Sequence, residues 1–193
     1  MTKLFLVRHG QTDWNAATRY QGHSDIPLND TGLQQAETAA RDFNGTTVEA
    51  IYASDLQRAL QTAHYFSMLS GLTIQKDARL REIYLGEWEG QSIAQIREEY
   101  PELVALRKEN PTHYAAPGGE TVMELAHRVV AAADAISESH PNGNVLVVAH
   151  GMSMATLYCL AEEIDLNLVF THIFSNTEIR PVEWVPGKVI LGK

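Results

Sequence analysis

Two apolar runs in this chain end alike, and that ending constrains the fold more than any other feature. Leu4-Phe5-Leu6-Val7 is followed by Arg8-His9-Gly10, and Val145-Leu146-Val147-Val148-Ala149 by His150-Gly151. A short continuous apolar run that stops at polar residues and Gly reads as a strand buried on both faces. Such a strand needs helices above and below it, and the intervening segments supply them. Leu33, Ala36, Ala40 and Phe43 recur at helical spacing, with Asn29 or Thr31 as N-cap. Val48 to Ala53 is strand-like, and Ser54-Asp55-Leu56-Gln57 has the spacing of a capping box before a helix from Asp55 to about Leu69. Thr121 to Glu124 is a second capping box. The stripe Val122, Leu125, Ala126, Val129, Ala133 and Ile136 follows it, and Pro141-Asn142-Gly143 ends that helix. Met152 to Glu163 reads as helix, and Thr177 to Trp184 and Val189 to Leu191 as late strands around Pro186-Gly187. The expected fold is α/β, a three-layer α/β/α sandwich around a largely parallel central sheet, with residues 1–193 as one domain.

Composition narrows the function classes. A chain of 193 residues can bury a sizeable core without staples. Its net charge of −9 repels a polyanion, so nucleic-acid binding is a poor default. The single cysteine, Cys159, excludes an intrachain disulfide and a multi-cysteine metal site. Apolar runs such as Val145 to Ala149 fall far short of the ~18 residues of a membrane span. Leu4 to Val7 is too short for the core of a signal peptide. The expectation is a soluble cytoplasmic protein with no membrane partner. A homodimer is compatible with the apolar residues of Met152 to Leu160 and of the late strands, which suit core and interface alike.

The chemistry gathers where strands end. In an open α/β sheet, ligands bind outside the carboxyl ends of the strands. If the runs ending at Val7, Ala53 and Ala149 are parallel neighbours, Arg8, His9, Arg58 and His150 meet at one edge. Two cations and two imidazoles around one point, with Arg58 on a first helical turn, suit an oxyanion with several charged oxygens, and phosphate is the obvious candidate. The plainer reading is that the histidines cap strands and bond loop carbonyls, which leaves two guanidinium groups without a purpose. A metal held by His9, His150 and Glu82 is the rival chemistry. Arg8 and Arg58 would repel a divalent cation. No H-E-x-x-H, EF-hand, P-loop or G-x-G-x-x-G pattern occurs.

The blocks that carry these residues resemble the histidine phosphatase superfamily, the phosphoglycerate mutase-like proteins. They are Leu6-Val7-Arg8-His9-Gly10-Gln11-Thr12 with Trp14-Asn15, then Gln21-Gly22, Asp25, Pro27-Leu28 and Gly32. Ser54-Asp55-Leu56-Gln57-Arg58-Ala59, Leu80-Arg81-Glu82 and Gly86-Glu87-Trp88-Glu89-Gly90 follow. Pro117-Gly118-Gly119-Glu120-Thr121, Val148-Ala149-His150-Gly151 and Asn176 complete the set in family order. The resemblance implies His9 as a nucleophile that forms a phosphohistidine, and Arg8, Arg58 and His150 as ligands of the phosphoryl oxygens. It implies Glu82 as general acid, and Asn15, Gln21, Gly22 and Gly151 at the substrate. It implies no metal and no cofactor.

Phosphatases and mutases of this family share the phosphohistidine. The resemblance places the difference in a lid-like segment at about 92–121, here a helix with Ile93, Ile96 and Tyr100, then Pro101, a second short helix and a loop after Pro111. Cofactor-dependent mutases carry more chain there. The expected activity is therefore a metal-independent phosphomonoesterase acting on a small phosphorylated metabolite, similar to α-ribazole phosphatases and broad-specificity phosphatases. A mutase-type transfer is the alternative, and a non-catalytic phospholigand binder a more distant one. Arg97, Arg107, Lys108 and His113 either read a second anion on the substrate or, for the three basic residues, form a solvated helix face. Trp14, Tyr20, Tyr84, Trp88 and Tyr114 are candidates for an apolar rim.

Overall fold

The computed structural model describes residues 1–43 and 46–191, so the end of the expected 1–193 span lies outside the described residues. Five strands, β1 (Thr2–Arg8), β2 (Ala50–Ala53), β3 (Ile74–Lys76), β4 (Asn144–Ala149) and β5 (Ile179–Trp184), form one sheet in the order β3-β2-β4-β1-β5. β1 to β4 are parallel, and β5 pairs antiparallel with β1 along an edge. The helices are α1 (Asp13–Ala16), α2 (Asp30–Asp42), α3 (Gln57–Ser70), α4 (Ile93–Glu99), α5 (Pro101–Glu109), α6 (Val122–Ser139) and α7 (Gly151–Ala161). Among the described residues none is long and apolar enough to cross a membrane.

The side-chain alternation of the central strands builds the layers. Leu4, Leu6, Val145 and Val147 face α6 and α7, where Leu125, Val129, Ile136, Met154 and Leu157 complete one core. Phe5, Val7, Leu146 and Val148 face α2 and α3 and pack with Ala40, Ala59, Ala63 and Phe66. This is the expected α/β/α sandwich. The runs ending in His-Gly are its two central strands, and each is buried on both faces.

Three local expectations need correction, and one strand, β3, was not expected. The strand expected from Val48 begins at Ala50. The helix after β2 starts at Gln57, and no capping box forms there. Asp25, from a distant loop, accepts from the Gln57 amide at 2.7 Å instead, and Ser54 is released for another partner. β3 has no apolar run to announce it, because Gln75 and Lys76 are exposed on the other edge of the sheet. Val189 to Leu191 forms no strand; Val189 and Leu191 pack against the core instead of pairing.

The topology sets the site. Arg8 lies level with Ala149, and Ala53 with Val148, so β1, β2 and β4 end at one height. The His9 amide donates to the Ala149 carbonyl at 2.9 Å and the Ser54 amide to the Val148 carbonyl at 3.0 Å. The loop after β1 lies directly on the start of α2. A Cβ on Gly10 would sit 2.4 Å from the Gly32 carbonyl oxygen, so any larger residue at Gly10 pushes the loop off the helix.

Candidate active site

Arg8, His9, Arg58 and His150 do meet at the carboxyl edge of the sheet. Three of them, Arg8, His9 and Arg58, line one cleft of about 290 Å³ with Asn15, Gln21, Gly22, Glu82 and Gly151. His150, expected at the phosphoryl oxygens, does not line it and packs behind His9 instead. His9 and His150 are 2% and 0% exposed, and their rings meet edge to face with centroids 5.2 Å apart.

His9 Nδ1 lies 2.6 Å from the Gly10 carbonyl oxygen. A carbonyl only accepts, so Nδ1 carries the hydrogen and Nε2 keeps its lone pair. Burial first, then the charges of Arg58 and Arg8, push the His9 pKa well below its ordinary value. Asn176 donates to the His9 carbonyl at 2.9 Å, and the Gly10 amide donates to Thr62 of α3 at 3.0 Å. The ring is thus neutral, fixed in tautomer, and tied to two neighbouring elements.

His150 follows β4 and precedes α7. Arg58 Nε donates to its Nδ1 at 3.1 Å, which puts the hydrogen on Nε2, bonded to Ser54 Oγ at 2.8 Å. Its pKa also lies well below the usual value, from burial and then the neighbouring Arg58. With both nitrogens engaged, His150 has no lone pair to give a metal. Ser54, which the spacing marks as a helix cap, instead orients this second histidine.

The two arginines differ. Arg58 donates through Nη1 to the Ser24 carbonyl at 2.7 Å and through Nη2 to the Gly22 carbonyl at 2.8 Å. Burial pulls its pKa down to about 10. Gly22 takes φ +52°, and a Cβ there would sit 2.0 Å from the Glu89 carboxylate, so glycine is required for the carbonyl to face Arg58. Arg8 donates through Nη1 to the Phe174 carbonyl at 2.6 Å, while its buried Nε has no partner among the described residues.

Glu82 sits over the N-terminus of α7. Its Oε1 accepts from the amides of Ile83 at 2.9 Å, Met152 at 3.1 Å and Ser153 at 3.3 Å. Oε2 accepts only a 3.2 Å contact from Met152 and lies beside Gly151 and the Arg8 guanidinium. Asn15 uses its Oδ1 to accept from Thr12 in the cap of α1, which leaves its amide nitrogen for the cleft. Gln21 accepts from Thr12 Oγ1 at 3.0 Å.

The upper wall departs from expectation. Arg107 is not on a solvated face: it is 6% exposed and lines the cleft. Its guanidinium lies 5.8 Å from the Trp88 ring centre and 5.3 Å from that of Phe170, and no described residue accepts a hydrogen bond from its buried Nε. Burial lowers its pKa. The exposed Arg97, Lys108 and His113 do not line the cleft. Tyr20 does, stacked on buried Trp88 at 5.8 Å, whereas Trp14, Tyr84 and Tyr114 lie elsewhere. Phe170 and Leu85 form apolar wall that no local pattern placed there, and Ile93 of the expected lid-like segment joins them.

Comparison with known proteins places the chain among phosphatases and mutases. Phosphoserine phosphatase 1 of Hydrogenobacter thermophilus is 34% identical over 167 residues, 86% of this chain and 79% of that protein. The probable phosphoglycerate mutase GpmB of Yersinia pestis is 40% identical over 160 residues, 81% of this chain and 73% of its own. The structure of a mycobacterial glucosyl-3-phosphoglycerate phosphatase superposes with a TM-score of 0.86 at 31% identity, covering 93% of this chain and 90% of that one. The family model of the histidine phosphatase superfamily, branch 1, matches residues 4–192, and the chain belongs to that superfamily.

Proposed function

We propose that this histidine phosphatase is a metal-independent phosphomonoesterase that works through a phosphohistidine on His9. The observation that carries the reading is the neutral His9 ring, held by Gly10 with its Nε2 lone pair free between two arginines. In the first step Nε2 attacks phosphorus and the bond to the leaving oxygen breaks. Glu82 Oε2 delivers a proton to that oxygen. In the second step a water attacks phosphorus, gives a proton to the Glu82 carboxylate, and the P–N bond breaks. Phosphate leaves, and His9 and Glu82 return to their starting forms. Arg8 and Arg58 offset charge on the phosphoryl oxygens throughout.

Arg107 narrows the substrate class. A planar guanidinium whose buried Nε has no acceptor among the described residues matches one carboxylate. The relatives are named for phosphoserine, phosphoglycerate and glucosyl-3-phosphoglycerate, all of which carry a carboxylate beside the phosphate ester. We infer a small phosphorylated hydroxy or amino acid, or a conjugate of one.

The test is phosphate release from phosphoserine, phosphoglycerate, α-ribazole phosphate, a sugar phosphate and a nitrophenyl ester with EDTA present, beside His9→Ala. EDTA-resistant release that His9→Ala abolishes, with an acid-labile phosphoryl adduct on His9, is the expected result. Release in His9→Ala overturns the mechanism. Isomerisation of phosphoglycerate without net release favours the mutase reading that the Yersinia relative's name suggests.

A further inference from the structure

Glu82 lies on no helix or strand. It belongs to the stretch between the short turns Ala78–Leu80 and Gly86–Trp88. A loop holds a side chain to fractions of an ångström only if something fixes its backbone. Here that something is Arg128, on α6. Its Nη1 donates to the carbonyls of Arg79 at 2.9 Å and Arg81 at 2.6 Å, and its Nη2 to the carbonyl of Glu82 itself at 2.7 Å. Its Nε and Nη2 donate to the two oxygens of Glu120 at 2.8 and 2.7 Å. All five N–H donors of the guanidinium therefore have partners.

Glu120 closes the loop from the other side. Its carboxylate accepts from the Tyr84 amide at 2.8 Å, and its own amide donates to the Tyr84 carbonyl at 2.8 Å. The carboxylate is half-buried; the Arg128 fork and the Tyr84 amide outweigh that burial and keep its pKa below the ordinary value. His23 Nε2 adds a donor to the Glu82 carbonyl at 2.8 Å. Arg128 does not line the cleft, so it acts on no substrate atom directly.

We propose that Arg128, oriented by Glu120, is a positioning residue for proton delivery: it clamps the backbone on both sides of Glu82 so that Oε2 meets the leaving oxygen. The proposal rests on Glu82 as the proton donor. A misplacement of about 1 Å at such a group costs about 10²-fold in rate. That loss falls only where a proton is needed, on esters of poorly acidic alcohols. A nitrophenyl ester leaves without help.

The experiment compares kcat/KM for a nitrophenyl ester and a simple alkyl phosphate in the intact protein and in Arg128→Gln, Arg128→Lys and Glu82→Gln, with a thermal melt of each. Arg128→Lys keeps a cation beside Glu120 and stands in if Arg128→Gln fails to fold. Each Arg128 variant is expected to lose about 10²-fold on the alkyl ester while the nitrophenyl ester is largely unaffected, the same pattern as Glu82→Gln. Equal losses on both esters in the Arg128 variants, with Glu82→Gln still selective, overturn the clamp and leave the acid in place. A Glu82→Gln variant that slows both esters equally removes the acid role, and the clamp with it.

Discussion

Arg8 and Arg58 face the same opening but spend their donors differently. Arg58 gives three to the protein, one each to His150, Ser24 and Gly22, and is fully buried. Arg8 gives one, and its buried Nε has no partner among the described residues. Removing Arg58 therefore removes both a proposed phosphate ligand and a strut. Arg58→Ala is expected to lower both kcat/KM and the melting temperature. Arg8→Gln is expected to cost about 3 kcal/mol in kcat/KM, as loss of one oxyanion donor does, with the smaller change in melting temperature. Equal drops in melting temperature would mean that Arg8 is as structural as Arg58. Arg107 supports a different prediction, because it lines the cleft from α5, packed against Trp88 and Phe170. Arg107→Leu should weaken kcat/KM for a carboxylate-bearing substrate by about 1.5–3 kcal/mol, the range for a hydrogen bond to a charged group. The nitrophenyl ester, which has no carboxylate, should be unaffected. Parallel losses on both would make Arg107 a packing residue of the Trp88 and Phe170 wall.

At the scale of elements, α6 does two jobs with one amphipathic pattern. Its inner stripe, Val122, Leu125, Ala126, Val129, Ala133 and Ile136, is buried to 2% exposure or less, and its edge carries Arg128 to the Glu82 loop. Leu125→Ala is expected to destabilise the fold by about 2–5 kcal/mol through the cavity it leaves, read as a lower urea midpoint. An effect under about 1 kcal/mol would mean that the helix shifts to fill the space. That stripe was legible in the sequence because a helix exposes its period directly. The central strands were legible for a similar reason, being apolar on both faces, and their His-Gly endings marked the site. Other features left no such trace. β3 is an exposed edge whose place depends on pairing with β2. Ser54 reads as a cap because its local spacing is right, yet the helix takes its cap from Asp25. Arg107 sits among Glu98, Glu99, Lys108 and Glu109, which looks like solvated surface; only the packing of α5 over Trp88 and Phe170 turns it inward. These three depend on tertiary contacts, and local pattern does not encode them.

For the whole molecule, the burial that keeps His9 neutral for its proposed role as nucleophile has a cost in stability. Both buried imidazoles are held neutral, with pKa values well below the ordinary 6.5, through burial and the nearby arginines. In the unfolded chain each recovers a pKa of about 6.5. As pH falls below that value the unfolded state takes up two protons that the folded state refuses, so stability falls with pH. Above about pH 7 neither state binds them, and this contribution is constant. The full slope approaches about 1.4 kcal/mol per pH unit for each histidine, so the pair removes about 2 kcal/mol between pH 6.5 and 5.5. The carboxylates held low by arginine partners, Asp55 and Glu120 among them, titrate in the unfolded chain near pH 4, outside this window. Urea unfolding at pH 7.5, 6.5 and 5.5 should therefore show a loss that falls mostly in the lower interval. Half-buried His23, whose pKa burial also lowers, adds to it, and His9→Asn should remove about 1 kcal/mol of the loss between pH 6.5 and 5.5. A stability that stays flat to pH 5.5 would mean that the folded site accepts protons on its imidazoles. It would then hold His9 as a cation at the pH where a neutral Nε2 is required, and the nucleophile would have to be sought elsewhere.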